Sequence, residues 1–377
     1  MKLNGKFGTI KMFKGVYKNK KVLITGNVGF KGSWLTAWLI KLGADVVGIS
    51  KEIPTNPSLF TVLGLGDQIK HYWEDIVNLE VIKEIFINEK PDFIFHLAAQ
   101  PIVSTSYSNP IETILSNVIG TTNILEVLRV VNQKCVAVII TSDKAYDNIE
   151  QVWGYKENDL LGGKDIYSGS KGAAELLIKS YLHSFFKSKA SNVKLAVGRA
   201  GNVIGGGDWA KDRIVADCMR AWSCNTAVEI RSPNSTRPWQ HVLEPLSGYL
   251  NLGQALYFNE SFHGECFNFG PRAEQSHSVK QLLVDLSKIW GFKNINDSYK
   301  INSDLSFGEA GLLKLNCDKA LFYLKWQANL DYQDTVRFTG EWYHDFYKTK
   351  TNMSKKTLEQ IIEYENMAIK NGLLWTE

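Results

Sequence analysis

The chain has 377 residues, is 44% hydrophobic and 22% charged, and carries a formal net charge of +4. That composition fits an ordinary globular protein with core enough for one large or two moderate domains. So small a charge gives no reason to expect nucleic acid or an anionic membrane as partner. No run of about 20 apolar residues stands out to span a bilayer, and the lysine-rich start "MKLNGKFGTIKMFKGVYKNKK" lacks the apolar stretch of a secretory signal. The five scattered cysteines include no C-x-x-C pair and read as reduced thiols of a cytoplasmic protein.

From residue 21 onward, short apolar runs alternate with helical periodicity. "KVLITG" reads as a strand, "SWLTAWLIKLGA" as a helix closing at Gly43, and "DVVGIS" as a second strand. A third short strand precedes "WEDIVN"; then come the helix "NLEVIKEIFINEK", the strand "DFIFHLAA" and the long helix "ETILSNVIGTTNILEVLRVV". "CVAVIITS", the helix "SGSKGAAELLIKSYLHSFF" and the strand "VKLAVGRA" complete the alternation. Strands this continuously apolar need helices over both faces, so the expectation is α/β: a Rossmann-type doubly wound parallel sheet over residues 15–203. Beyond it the order loosens into glycines, a helix from Arg213, a strand "AVEIRS" and loops rich in Pro, Trp and Asn. Residues 204–241 and 259–350 are expected to form a smaller, interleaved substrate-binding α/β region. A helix near 242–258, "EPLSGYLNLGQALYF", returns to the sheet between them, and residues 351–377 form a helical tail.

"VLITGNVGFKG" runs a strand into Gly26, Gly29 and Gly32, spaced three apart, at the start of a helix. Bare backbone at a helix N-terminus leaves N–H groups free for a pyrophosphate that side chains would block. The end of the second strand reads Ser50, Lys51, Glu52, so charge alone does not choose between NAD and NADP. Asp75 and Ile76 follow the third strand, where an adenine would lie.

"YSGSK" puts Tyr167 and Lys171 four residues apart on one helix face. A lysine beside a phenol favours the phenolate over its usual form, whose pKa is near 10. "TSDKAY", at the end of the preceding strand, adds Ser142, able to hydrogen-bond a substrate hydroxyl, and Asp143, a carboxyl group a simple dehydrogenase would not require. No histidine has metal-ligand spacing with another His or Cys, so no metal site is expected.

The glycine loop, "HLAAQ", "NVIGT" and Tyr-x-x-x-Lys together resemble the extended short-chain dehydrogenase/reductases that act on nucleotide sugars. More narrowly, residues 15 to 348 resemble the 4,6-dehydratases of CDP-linked glucose, through "GFKGSWL", "PSLF", "HLAAQPIV", "TSDKAY", "VWGYKE", "YSGSKGAAEL", "RAGNVIGGGDWA" and "RPWQHVLEPLSGYL". Asn27-Val28 stands where His-Thr is usual, and Ala145 where Cys is usual.

The resemblance implies NAD, held by Gly26, Asn27, Val28, Gly29, Phe30 and Gly32, with Ser50, Asp75 and Ile76 at the adenosine. Leu97, Ala98, Ala99 and Asn117 would complete that site with Tyr167 and Lys171. It implies a redox-neutral loss of water in deoxysugar synthesis: oxidation at C4 with Tyr167 as base, elimination across C5–C6, and return of the hydride to C6. Asp143 would protonate the leaving hydroxyl; Lys144, where related dehydratases carry Glu, would be the C5 base or pair with Asp143 or a phosphate. Gln100, Ser142, Asn202, Arg213, Arg231, Arg237 and His241 are the expected substrate contacts, with Trp239 either beside them or packed at the domain interface. A homodimer built on the long helix and the Tyr167 helix is also implied. The competing readings are another dehydratase or a 4-epimerase of this family, and a cofactor-binding regulator without catalysis.

Overall fold

In the computed structural model, residues 11–302 and 312–377 are described. Residues 1–10, in the lysine-rich start, and residues 303–311 of the second region lie outside the described residues. The chain runs β1 (Lys21–Thr25), α1 (Phe30–Lys41), β2 (Asp45–Ser50), β3 (Lys70–Trp73), α2 (Leu79–Glu89), β4 (Phe93–His96), then α3 (Pro110–Val131), which passes through a π-turn at Leu115–Ile119. It continues β5 (Cys135–Ile140), α4 (Ile166–Tyr181), β6 (Val193–Ala200), α5 (Ile214–Ser223), α6 (Leu243–Phe258), β7 (Cys266–Phe269), α7 (Val279–Trp290), α8 (Tyr332–His344) and α9 (Met353–Lys370).

Seven parallel strands form one sheet in the order β7-β6-β5-β4-β1-β2-β3. The pleat sends successive side chains to opposite faces, and both faces are dry. Val22, Ile24, Phe93, Phe95, Val136 and Val138 point into one core with Trp34 and Trp38 of α1 and Leu246 and Leu250 of α6. Leu23, Ile94, Ala137 and Ile139 point into the other with Ile82 and Phe86 of α2, Ile124 and Leu128 of α3, and Ile178 of α4. The strand order reverses between β1 and β4, which opens a crevice at their carboxyl ends.

Three features differ from the expectation. The second region contributes a strand as well as a helix to the main sheet: β7 pairs with β6, Phe267 opposite Gly198. Four residues between loops carry too little periodicity to announce a strand. The second region also holds α7, a helix beyond those expected, with an apolar face of Leu282, Leu283 and Leu286. Finally, α3 is long and apolar enough to cross a membrane by length and composition, but it packs on α2 and α4 as a core helix.

The tail closes back on the sheet. Trp38 Nε1 of α1 donates to Glu365 of α9 at 2.8 Å, and Phe13 stacks on Trp375 at 5.0 Å between centroids, so the described residues ahead of β1 are part of this core. Glu244, 1% exposed, accepts from the backbone N–H groups of Asn329 and Leu330 and from the Tyr364 hydroxyl. One carboxylate thus joins α6, the 329–330 turn and α9. Glu244→Ala should strand those donors in a dry interior and cost about 3 kcal/mol; a thermal melt should show a clearly lower transition, and an unchanged one would refute the clasp.

Candidate active site

β1 ends at Thr25, and the turn after it has no room for side chains. Gly26 has φ +76°, and a Cβ there would lie 2.7 Å from Ala98 N. A Cβ on Gly32 would lie 2.1 Å from Gly26 O. Gly29 caps α1 without a side chain, which leaves the first N–H groups of that helix facing the crevice. The side chain of Asn27 goes elsewhere: it is fully buried, accepts from Ser50 Oγ at 2.7 Å and fills the space over Gly48. Asn27 therefore ties the loop to β2 and does not line the cavity, whereas Val28, Phe30 and Ser50 do.

The crevice widens into a cavity of about 1840 Å³. A single small-molecule site usually takes about 300–1,000 Å³, so two ligands fit side by side. At one end Asp75 and Ile76 line it, and Lys51 pairs with Asp75 at 3.6 Å and Glu112 at 3.3 Å. Leu97, Ala98, Ala99 and Gln100 form the wall above the loop. The Gln100 amide is turned to Ile102 O at 3.0 Å and Thr113 Oγ1 at 2.9 Å, so it shapes the wall. Asn117 stands behind: it accepts from Gln100 N at 2.8 Å and donates to Ser170 Oγ at 2.9 Å, binding this wall to α4 without facing the cavity.

At the other end, α4 begins with Asp165 capping Ser168 N at 2.9 Å. That start puts Tyr167 in the first turn, where the helix N-terminus favours negative charge, and Lys171 one turn on, its Nζ 6.0 Å from the Tyr167 ring centre. Burial pushes the Tyr167 phenol up to about 12, against the hydrogen bond to Ser142 and the charge of Arg213. Burial also pushes Lys171 down to about 8. β5 delivers Ser142, which caps the single 3-10 turn Asp143–Ala145 and donates to Asp143 Oδ1 at 2.9 Å. Asp143 is 5% exposed, and burial raises its pKa. Ser142, Asp143, Lys144, Tyr167 and Lys171 all line one stretch of the cavity.

Arg213, Arg231, Arg237 and Trp239 line the side formed by the second region, and Asn202, from the end of the first, lines the cavity as well. Arg213 Nε lies 3.5 Å from Asp208 Oδ2. His241 does not belong with them: it is fully buried between Trp34 and Phe338, and burial lowers its pKa to about 3, so it is a neutral core residue. Trp239 is 5% exposed and donates to His277 O at 3.0 Å, so it both packs and lines. Lys31, between Gly29 and Gly32, was missed. It lines the cavity, and burial with Arg213 nearby pushes it down to about 8 while Asp143 and Asp208 oppose the shift. A lysine inside a loop built to meet an anion was the available signal. Among the described residues no group of His, Cys, Asp and Glu could hold a metal ion.

Residues 23–338 match the family model described as GDP-mannose 4,6 dehydratase. The chain is 44% identical to CDP-glucose 4,6-dehydratase of Salmonella typhimurium over 88% of its length and 92% of that protein. It is 28% identical to CDP-paratose 2-epimerase of Salmonella typhi, over 85% and 98%. Among solved structures it is similar to DesIV, the dTDP-glucose 4,6-dehydratase of Streptomyces venezuelae with NAD and TYD bound, at TM-score 0.74, 18% identity and coverage of 86% and 97%. UDP-glucose 4-epimerase of Thermotoga maritima, with UDP-glucose, gives TM-score 0.74 at 23% identity, over 88% and 100%. The likeness to these two is one of fold, and it agrees with the seven-stranded sheet. The match over 23–338, with the 44% identity, places the chain in the GDP-mannose 4,6 dehydratase family of extended short-chain dehydrogenase/reductases.

Proposed function

We propose that this protein is an NAD-dependent dehydratase that converts CDP-D-glucose to CDP-4-keto-6-deoxy-D-glucose. One observation carries the reading: Asp143, a buried carboxyl group whose pKa burial raises, shares a cavity wall with Tyr167 and Lys171, in a chain 44% identical to a CDP-glucose 4,6-dehydratase. A 4-epimerase moves a hydride and a proton at one carbon and has no leaving hydroxyl for Asp143 to protonate, so the acid favours dehydration.

The residues present fit a dinucleotide. The cradle is bare where a Cβ on Gly26 or Gly32 would collide, and the N-terminus of α1 faces it. Glu52, Glu74, Asp75 and Glu112 line the end around Lys51, which pairs with two of them. That excess of carboxylates disfavours the 2′-phosphate of NADP and supports NAD. When bound, NAD would supply a hydride acceptor for C4 and a donor for C6, which makes the overall reaction redox-neutral.

The chain's own groups handle the protons. Tyr167 Oη takes the proton of the sugar 4-hydroxyl, with Lys171 and the helix N-terminus favouring its negative charge. Ser142, whose hydroxyl turns to Asp143 Oδ1, would rotate to the sugar 4-hydroxyl and hold it in line. A ketone at C4 acidifies the C5 proton; Lys144, which lines the same stretch, would take that proton while Asp143 gives its own to the C6 hydroxyl as water leaves, and would return a proton to C5 when C6 is reduced. Arg213, Arg231 and Arg237 would neutralise the diphosphate from the second region. A cytoplasmic site of action is consistent with the absence of any disulfide among the described residues.

Incubation with CDP-glucose, dTDP-glucose and GDP-mannose separately tests reaction and nucleotide together. The expected outcome is a 4-keto-6-deoxy product from CDP-glucose alone, restored after exhaustive dialysis by catalytic NAD; a demand for stoichiometric cofactor, or for NADP alone, would defeat the reading. Tyr167→Phe should lower turnover about 10²–10⁴-fold with binding of both ligands intact. Asp143→Asn should instead slow water loss and leave 4-hydroxyl oxidation, seen as standing absorbance of reduced cofactor on the enzyme; a variant as fast as wild type would remove the acid role.

We also propose a homodimer. Ile111, Ile114, Leu115 and Ile119 of α3 and Leu176 and Phe185 on and just beyond α4 are exposed on neighbouring helices. A second copy of this face would bury them as a four-helix contact. Light scattering at micromolar concentration should give twice the chain mass, and Ile111→Asp with Leu176→Asp should halve it; a wild-type monomer would end the proposal.

A further inference from the structure

Behind the cavity lies an ion pair that no step above uses. Arg199 on β6 and Glu175 on α4 are 2% and 3% exposed, and they meet through two parallel hydrogen bonds, each of 2.7 Å. Against apolar residues of the same shape, a buried pair of this kind adds little net stability. Its other contacts are specific. Thr141 Oγ1 donates to Glu175 Oε1. Arg199 Nη1 donates to Tyr146 Oη at 2.7 Å and to Glu157 O at 3.0 Å, and the Tyr146 hydroxyl donates to Asn268 Oδ1 at 2.8 Å.

Thr141 and Tyr146 are the residues immediately before and after Ser142–Ala145. Glu175 is one turn beyond Lys171 and two beyond Tyr167 on the same helix. The turn's own backbone bonds are long, Ala145 N to Ser142 O at 3.2 Å and Tyr146 N to Asp143 O at 3.3 Å; Ser142 Oγ accepts from Lys144 N at 3.2 Å, and Gly162 N donates to Ala145 O at 2.9 Å from outside. Asp143 has no ion-pair partner within 4.0 Å among the described residues, so its place is set by where the turn sits.

We propose that Glu175 and Arg199 are positioning residues: through Thr141 and Tyr146 they grip both ends of the Ser142–Ala145 turn and fix it against the helix that carries Tyr167 and Lys171. The bidentate contact thereby ties both ends of the turn to one point and helps set the acid and the base of the reaction at one separation. The kinetic consequence rests on the dehydratase reading; the structural one does not.

Substituting the ion pair itself would mix two effects, because Glu175 also faces Lys171 and supports its charge. Thr141→Val and Tyr146→Phe are cleaner, since each removes one hydroxyl and leaves the pair. In each, backbone amides of residues 142–146 should exchange with deuterium about tenfold faster, with those of β5 and α4 unchanged. Turnover of CDP-glucose should fall roughly 10- to 100-fold while KM stays within about twofold of wild type. The double variant should lose little more than either single one, since both loosen the same turn. Thr141→Ser, which keeps the hydroxyl, should restore both exchange and rate. Unchanged exchange in the turn would overturn the proposal whatever the rates. So would faster exchange spread evenly over β5, β6 and α4, because the pair would then only stabilise the fold. If the wild type yields no product from any nucleotide sugar, the functional reading fails, and the exchange measurement still decides the positioning role.

Discussion

Withdrawal of charge from water is the constraint on which this site is organised. Asp143, Lys171 and Tyr167 sit in one buried wall, and burial moves each toward its neutral form: the carboxyl and phenol upward, the amine downward. Burial makes a carboxyl group readier to hold and hand over a proton, and an amine that loses its charge readily depends on its neighbours to keep it. Lys31, Arg213 and Asp208 belong to the same balance. The Rossmann sheet supplies the dry walls and the second region supplies the opposing cations.

The two halves of the site show different degrees of commitment. The glycine loop is fixed by hard contact: Gly26 against Ala98 and Gly32 against Gly26 leave no alternative residue. The turn carrying Asp143 is fixed by hydrogen bonds that could be remade, with a serine cap and two flanking side chains. Sterics define where a cofactor can lie, and polar contacts define where protons can go.

Much of this was legible in the residues. β2 and β6 appear with the bounds their apolar runs suggested, because a strand covered on both faces must be apolar throughout. The five catalytic candidates converge because their positions, strand ends and the first turns of a helix, are where such sheets present side chains. What was not legible depended on direction. Asn27, Asn117 and His241 lie in the right segments, but their side chains turn into the interior, and linear spacing says nothing about which way a loop or helix residue faces. Glu175 and Arg199 were silent for a related reason: an ion pair 24 residues apart is visible only once β6 lies beside α4.

The late arrival of β7 has a consequence for the chain as it is made. Until Cys266–Phe269 has left the ribosome, β6 has an open edge, and one face of the sheet lacks the cover of α6. The segment up to residue 203 is therefore a sheet with an unfinished border, rich in Val, Ala and Leu, of the kind that pairs with any strand available. Synthesis proceeds at about 5–20 residues per second, so this border stays bare for several seconds in every molecule produced. A protein whose cofactor half precedes β7 by more than sixty residues carries the sheet's longest strand, eight residues of β6, as an uncovered edge over that interval.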